Sequence, residues 1–255
     1  MRPRLASIDS AGRIAVRRAA GHFANLLFPP QCTYCATEIE SGALCSTCTA
    51  RLTIDPGPTC VRCGARTPDL RTAGPDCARC HDLKLHFSRV VSLGVYQHEL
   101  RMTVLRSKHA GQSGLVLAAA ELMWERRANA LRALGCDVVC AIPIFWRRRW
   151  SHGGNPPELL AERWSERLGL GPGERLLRRV RNTQPQTEIP VAQRFRNVRG
   201  AFALERGYTI QGARVLLVDD VVTTGATCSE AAKALRAAGA AEVAVACLAR
   251  AEGHV

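Results

Sequence analysis

The chain has 255 residues, 47% of them hydrophobic, and 35 basic side chains stand against 22 acidic ones, for a formal net charge of +13. This composition excludes a globally disordered chain, and the lack of any run of 18 apolar residues predicts that no helix spans a membrane. Eight of the twelve cysteines lie between Cys32 and Cys80, which predicts a small cysteine-rich module in front of a larger globular domain.

The first 30 residues are basic and amphipathic. Within residues 12–28, apolar side chains recur at helical spacing beside several arginines, and Pro29-Pro30 ends the pattern. The spacing predicts a short helix that packs on the next domain, with contact to a membrane surface or to nucleic acid as the alternative. No continuous apolar stretch of the kind found in secretory signals is present, so we expect a cytoplasmic protein with reduced thiols.

Four C-x-x-C pairs make up the cysteine-rich module. Each pair places two thiolates on one turn, and two pairs complete a tetrahedral shell of four sulfurs, which suits Zn²⁺. The sequence therefore predicts two structural zinc sites, with redox-active dithiols as the alternative. Pro56-Gly57-Pro58 favours a sequential grouping, although the spacing also allows an interleaved one. The predicted ligands are Cys32, Cys35, Cys45 and Cys48 for one ion and Cys60, Cys63, Cys77 and Cys80 for the other.

From about residue 84 the sequence alternates apolar strands with amphipathic helices. A strand pair or an edge strand is predicted for residues 87–96, and buried strands are predicted for residues 137–144, 214–218 and 242–248. Helices are predicted for residues 100–106, 115–134 and 226–238, and Asn155 stands where it can cap a further helix that ends at Gly169. Such alternation is typical of an α/β fold with a parallel sheet. The other cysteines, which we expect to be small buried hydrophobic side chains, are Cys136, Cys140, Cys228 and Cys247.

The segment Val215–Thr227, V-L-L-V-D-D-V-V-T-T-G-A-T, carries the most specific signal. An apolar strand ends in Asp219 and Asp220, and a loop leads from there into a helix. Ligands of open α/β sheets bind beyond the carboxyl ends of the strands, and a helix N-terminus binds anions. The two carboxylates would repel a phosphate but accept hydrogen bonds from sugar hydroxyls, so the segment predicts a ribose 5-phosphate site. Its predicted phosphate-binding residues are Thr223, Thr224, Gly225, Ala226 and Thr227.

These thirteen residues resemble the phosphoribosyl pyrophosphate (PRPP) motif of type I phosphoribosyltransferases. The basic stretch Leu177–Phe202 resembles the ComF/GntX family, in which R-x-R-x-T-x-x-Q is followed by R-x-x-N-V-x-G-A-F. Tyr96, Leu100-Arg101 and Lys108 resemble the Y-x-x-x-L-R…K segment of that family, and residues 27–32 resemble its entry into a zinc ribbon.

The resemblance implies three parts: a basic N-terminal helix in residues 1–30, a double zinc ribbon over residues 31–83, and a phosphoribosyltransferase-like domain over residues 84–255. That domain is expected to be a type I phosphoribosyltransferase-like parallel sheet flanked by helices. The resemblance also implies a role in natural competence and in the use of incoming DNA.

A further implication of the resemblance is a transfer reaction in which a nucleophile displaces pyrophosphate at C1 of the ribose. The resemblance also implies that Asp219 and Asp220 are catalytic groups that act on the ribose hydroxyls, and that Mg²⁺ binds together with PRPP. The loop after the central strand departs from the family pattern R-G-F-N-Q, because His152 and Gly154 precede Asn155 and Pro156 follows it. The implied pyrophosphate-binding and basic-loop residues are Pro143, Arg147, Arg148, Arg149, Asn155, Arg179 and Arg181.

Three functions remain open on the sequence: a phosphoribosyltransferase with an unidentified nucleophile, a non-catalytic DNA-handling module, and a PRPP or nucleotide sensor. Residues 141–200 carry 12 arginines and five glutamates, which favours phosphate-bearing ligands such as PRPP, nucleotides or single-stranded DNA. Other DNA-uptake proteins are further candidate partners. The arginine-rich residues 178–199 are a candidate lid over the site.

Overall fold

The computed structural model describes residues 29–67, 77–145, 155–171 and 175–252. The helix predicted within residues 12–28 lies outside these ranges, as do Arg147, Arg148 and Arg149. The chain divides into two compact units, one that ends at Cys48 and one that begins at Thr49. The three-part division predicted from the sequence remains a prediction.

A four-stranded parallel sheet forms the centre of the unit that begins at Thr49. Its strands are β1 (Val90–Val95), β2 (Val138–Ala141), β5 (Arg214–Val222) and β6 (Glu242–Arg250), in the spatial order β1-β6-β5-β2. The two central strands are the longest, and β6 is buried from Val243 to Arg250. Strands covered on both faces need continuous apolar runs, which explains why residues 214–218 and 242–248 stood out in the sequence. The edge strand predicted for residues 87–96 is β1.

Helices cover this sheet. Helices α3 and α4 pack on each other, and Trp164, fully buried on α4, donates its indole N–H to the carbonyl of Ala120 at 3.1 Å. The α-helices of the described residues, whether or not they lie on the sheet, are α1 (Ser46–Leu52), α2 (His98–Ser107), α3 (Ser113–Arg132), α4 (Pro156–Leu168), α5 (Arg194–Val198) and α6 (Ala226–Ala237). The predicted α/β class, a parallel sheet flanked by helices, is confirmed. No helix among the described residues is long and apolar enough to cross a membrane.

A short antiparallel pair was not predicted from the sequence. Strand β3 (Leu177–Arg179) pairs with β4 (Phe202–Leu204), so that Arg179 lies opposite Phe202. Each strand has only three residues, which is too short for a recognisable alternation of polar and apolar side chains. The arginine-rich residues between the two strands, including α5, are therefore anchored at both ends.

Candidate functional site

Eight cysteines form two clusters of four, and the sequential grouping is the one that the structure brings together. In each cluster the four Sγ atoms lie within 4.8 Å of one another. The Sγ–Sγ distances include 3.8 Å for Cys35–Cys45, 3.6 Å for Cys63–Cys77 and 3.8 Å for Cys60–Cys80. Four sulfurs around one Zn²⁺ at about 2.3 Å would be about 3.8 Å apart, whereas the sulfurs of a disulfide are about 2.05 Å apart. The two clusters therefore fit two structural zinc ions.

The two clusters begin with the same local structure, repeated 28 residues later in the chain. In both, the N–H of the first cysteine donates to the carbonyl of the fifth residue after it at 2.8 Å. The residue after the second cysteine has a positive φ in both, 61° at Ala36 and 70° at Gly64. Their surroundings differ, because Cys35 in the first cluster is exposed and all four cysteines of the second are buried.

The thiols of the first cluster have different environments: the surroundings of Cys35 favour the thiolate, the form that binds metal, whereas burial raises the pKa of Cys48. The hydroxyl of Thr37 lies 3.3 Å from Cys35 Sγ and is the main cause that lowers the pKa of this thiol to about 6. The backbone N–H of Cys48 donates to Cys45 Sγ at 3.4 Å. The contact with Thr37 therefore stabilises the thiolate form of Cys35.

The second site is built on the passage from β5 through a three-residue loop to α6. We call Thr223–Gly225 together with Ala226 and Thr227 the phosphate loop. Gly225 has φ 80°, and a Cβ at this position would lie 3.2 Å from Phe87 Cζ. The N–H of Ala226 donates to the hydroxyl of Thr224 at 3.3 Å. The first turn of α6 thus begins with backbone N–H groups directed at the loop, as in known anion sites.

The two carboxylates have different environments. Asp219 is 9% exposed and accepts a hydrogen bond from the thiol of Cys228 at 3.6 Å. Burial, followed by the neighbouring Asp220 carboxylate, raises the pKa of Asp219 well above its usual value. Asp220 instead lies 3.4 Å from the ammonium of Lys108, and this carboxylate raises the pKa of Lys108. Both aspartates lie within β5, which extends four residues beyond the predicted end of the strand.

Asp219 and Asp220 open onto a cavity of about 560 Å³ at the carboxyl ends of β1, β2 and β5, where ligands of open α/β sheets bind. Thr223 and Thr227 of the phosphate loop line it, whereas Thr224, Gly225 and Ala226 are not among its lining residues. The other lining residues are Tyr96, Lys108, Ile142, Ile144, Asn155, Pro156, Pro157, Arg179, Pro185, Gln186, Glu188 and Val221.

The residues implied for the pyrophosphate side are only partly brought to this cavity. Asn155 and Arg179 line it, and Pro143 stands between the lining residues Ile142 and Ile144. Asn155 occupies the N-cap position of α4, but its amide donates to the carbonyl of Ile142 at 3.4 Å and makes no side-chain cap. Arg181 is exposed and donates to the carbonyls of Asn197 and Arg199, at the end of α5.

Lys108 and Gln186 are the lining residues whose role the sequence did not reveal. Both residues belong to segments that resemble the family pattern, but their distance along the chain from Asp219 and Asp220 does not show that they share a cavity with these aspartates. The side-chain amide of Gln186 donates to the hydroxyl of Thr227 at 3.3 Å. This contact ties the segment after β3 to the first turn of α6. The segment therefore closes one side of the cavity in the described structure.

Two known domain families match parts of this chain. The double zinc ribbon domain matches residues 23–81, and the phosphoribosyl transferase domain matches residues 166–254. The fold and the two sites define a protein that joins a double zinc ribbon to a phosphoribosyltransferase domain.

Relatives extend over nearly the whole chain. It is 33% identical over 232 residues to the DNA utilization protein YhgH of Salmonella typhimurium, covering 88% of this chain and 99% of that protein. It is 29% identical over 227 residues to competence protein F of Haemophilus influenzae, covering 87% and 97%. The chain belongs to the ComF/GntX family. A local match to orotate phosphoribosyltransferase of Sphingopyxis alaskensis is 58% identical over 50 residues, which are 19% of this chain and 26% of that protein.

Proposed function

We propose that the cavity binds PRPP or a related 5-phosphoribosyl ligand, and that the protein works in the use of incoming DNA. The observation that carries the first part is that two carboxylates and two threonine hydroxyls of one strand–loop–helix segment line the same cavity. The names of the relatives, a DNA utilization protein and a competence protein, support the second part.

In this proposal the 5-phosphate lies against the phosphate loop. The hydroxyls of Thr223 and Thr227 donate to its oxygens, and the positive end of the α6 dipole favours its charge. The ribose hydroxyls face Asp220 and Asp219, which accept hydrogen bonds from them. Lys108, paired with Asp220, limits the repulsion between the carboxylates and the phosphate groups.

Mg²⁺ would enter with the ligand. Carboxylate oxygens suit this cation, which keeps several waters and is commonly held jointly by protein carboxylates and substrate phosphates. Asp220 is the better candidate to hold it, since Asp219 is buried and its raised pKa favours the neutral form. When bound, the cation neutralises phosphate charge. Arg179 and Asn155 are the described residues that we assign to the pyrophosphate side.

Binding is tested by titration calorimetry of the full chain with PRPP plus Mg²⁺, ribose 5-phosphate and pyrophosphate. We expect PRPP to bind most tightly, ribose 5-phosphate to retain part of the affinity, and Asp220→Asn to weaken PRPP. Arg206→Gln, on an exposed turn away from the cavity lining, is the control. Unchanged PRPP affinity in Asp219→Asn and Asp220→Asn would refute the site.

Transfer is a separate question from binding. A pyrophosphate-release assay with PRPP across the nucleobases distinguishes a phosphoribosyltransferase from a binding module. Tight PRPP binding without release across the panel would favour the non-catalytic alternative for those acceptors.

Single-stranded DNA is a second candidate ligand, supported by a specific surface. Four exposed arginines, Arg178, Arg181, Arg196 and Arg199, lie on β3, on α5 and next to them. Cationic surfaces of this kind bind phosphates, with an affinity that falls steeply with salt. A mobility-shift titration at two salt concentrations should show that dependence, and replacing Arg196 and Arg199 with glutamine should reduce it. No binding at low salt would refute direct DNA contact.

A further inference from the structure

Arg250, the last residue of β6, is a buried cation that joins the second cysteine cluster to the phosphate loop. Arg250 is 7% exposed. Its guanidinium donates to the carbonyl of Cys63 at 2.6 Å and to that of Val222 at 3.1 Å. It also donates to the carbonyls of Thr223 and Ala251. Cys63 belongs to the second cluster, and Thr223 is the first residue of the phosphate loop, so one side chain contacts both sites.

The chemistry of this group makes the connection stiff. A guanidinium is planar, permanently charged and carries five N–H donors in fixed directions. Buried charge is tolerated only when its hydrogen bonds are made, so the Arg250 side chain needs acceptors on both sides. If the Cys63 carbonyl moves, the guanidinium must turn, and its donors to Val222 and Thr223 turn with it.

The chain that follows the second cluster supports the same loop from another direction. Phe87 lies against Gly225, so closely that a Cβ on that residue would be 3.2 Å from its ring. The N–H of His86 donates to the hydroxyl of Ser229 at 3.2 Å, within the first turns of α6. That hydroxyl in turn donates to the carbonyl of Lys84 at 3.3 Å. Residues 84–87 are therefore packed against the phosphate loop and the start of α6.

The turn from Cys60 to Cys63 in the second cluster, which we call the knuckle, is itself bonded to residues 84–87 and to the start of β1. Arg62, between Cys60 and Cys63, donates to the carbonyl of Leu85 at 3.1 Å. The N–H of Val90 donates to the carbonyl of Val61 at 3.3 Å, although this bond is long. The knuckle thus reaches the phosphate loop by two routes, one through Arg250 and one through residues 84–87.

We propose that Arg250 is a positioning residue through which the second cysteine cluster holds the phosphate loop in its ligand-binding geometry. The affinity for a phosphoribosyl ligand then depends on metal in the second cluster. This inference rests on the proposed function, because it concerns the ligand of that same loop.

The dependence on metal follows from the size of the ribbon. The second ribbon is short and has little apolar surface of its own beyond the cysteines that pack into the core, so a bound metal supplies part of the free energy that orders it. Without metal, the Cys63 carbonyl is no longer held in place, and Arg250 loses a fixed acceptor. The phosphate loop then samples more conformations, so that part of the binding free energy is used to order it and the affinity falls.

Matched cysteine variants of the full chain test the metal dependence. Cys63→Ser and Cys35→Ser remove equivalent ligands from the second and first clusters, and each should reduce zinc from about two to about one per chain by elemental analysis. Calorimetry with PRPP and Mg²⁺ should show an affinity about tenfold weaker for Cys63→Ser, and within about twofold of wild type for Cys35→Ser. Equal losses in the two variants would overturn the proposal.

Arginine variants test the positioning role directly. Arg250→Met should weaken PRPP binding while the chain keeps both zinc ions, and Arg250→Lys should restore part of the affinity because an ammonium still donates to some of the carbonyls. The control is Arg127→Met, which removes an arginine that donates to the Ser92 carbonyl at 3.2 Å, on the edge strand β1. If Arg250→Met remains folded with unchanged affinity, the positioning role is refuted. If Arg250→Met does not fold, the PRPP affinity of Arg250→Lys and the comparison of Cys63→Ser with Cys35→Ser test the positioning role instead.

A measurement without ligand separates this inference from the proposed function. Amide hydrogen exchange at residues 223–229 should be faster in Cys63→Ser and Arg250→Lys than in Cys35→Ser and Arg127→Met. If wild type binds none of the phosphoribosyl probes but shows this pattern, the proposed function fails and the coupling stands. If exchange is the same in all four variants, the coupling fails whatever the ligand.

Discussion

Replacing Gly225 by alanine should disturb the phosphate loop by two separable effects. Its φ of 80° is in the left-handed region, where alanine is less stable than glycine by about 1 kcal/mol. In addition, the new Cβ would lie 3.2 Å from Phe87 Cζ and 3.4 Å from Phe87 Cε1. Carbon atoms normally approach to about 3.5–4.0 Å, and relieving such an overlap in a packed site costs about 1 kcal/mol or more.

The two effects together predict a loss of about 2 kcal/mol of folding stability in Gly225→Ala. For a unit of this size, that loss lowers the thermal midpoint by roughly 4–8 °C. Gly207→Ala is the matched control, since Gly207 has φ 89° and a Cβ added there would have no atom of the described residues within 4 Å. It should show only the backbone effect, a decrease of roughly 2–4 °C.

Scanning calorimetry of the two variants tests this reasoning, and PRPP titration adds a functional readout. Gly225→Ala should weaken ligand binding because Phe87 and the loop must move apart, whereas Gly207→Ala should leave the affinity unchanged. Adding Phe87→Leu should reduce the cost of Gly225→Ala towards that of the control. Equal midpoint decreases in Gly225→Ala and Gly207→Ala would refute the predicted contact with Phe87.

Three further predictions concern charge and metal. Because burial raises the pKa of Asp219, the folded chain holds this proton more tightly than the unfolded chain, and stability falls as pH rises from about 3.9 through the folded pKa. Asp219→Asn should therefore raise the thermal midpoint at pH 7 while weakening PRPP binding, and a lower midpoint would contradict this account. Asp220 raises the pKa of Lys108, so their pairing stabilises the fold below about pH 10.4, and this stabilisation is lost as pH rises through the folded pKa. Between about pH 9 and 11, the thermal midpoint should therefore fall less in Asp220→Asn than in wild type. Elemental analysis should give two zinc ions per chain, with one retained in Cys45→Ser, and a metal-free wild-type chain would refute the two-site assignment.

The sequence predicted the central strands and the start of α6 well, because their apolar runs and the Thr/Gly loop depend on local properties. It placed the end of β5 at Val218, although the strand continues to Val222. Two adjacent aspartates disfavour a strand by local propensity, but pairing with β6 outweighs this preference, and Asp219 is opposite Cys247 in the register. The carboxylates consequently occupy fixed strand positions, and the strand continues for two residues beyond them.

Long-range contacts were the part that the sequence could not supply. The approach of Lys108 to Asp220 depends on where α2 ends relative to β5, and no spacing within either segment encodes it. The same holds for Arg250, which is 187 residues from Cys63 in the chain. Its sequence context shows only an arginine at the end of an apolar strand, for which a solvent-exposed side chain is the ordinary expectation.

Three features that reduce stability meet at the carboxyl end of β5: the buried carboxyl group of Asp219, the buried guanidinium of Arg250 and the left-handed backbone of Gly225. A segment shaped by folding alone would avoid such a concentration, because hydrophobic residues and an ordinary turn would be more stable there. Each feature instead serves the same geometry. The carboxylate faces the cavity, the guanidinium fixes the Thr223 carbonyl, and the glycine lets the loop approach Phe87. A ligand that fills the cavity supplies a hydrogen-bond partner for Asp219 and contacts the loop that Arg250 and Gly225 shape, so ligand binding should raise the stability of this segment more than that of the α3–α4 side of the sheet.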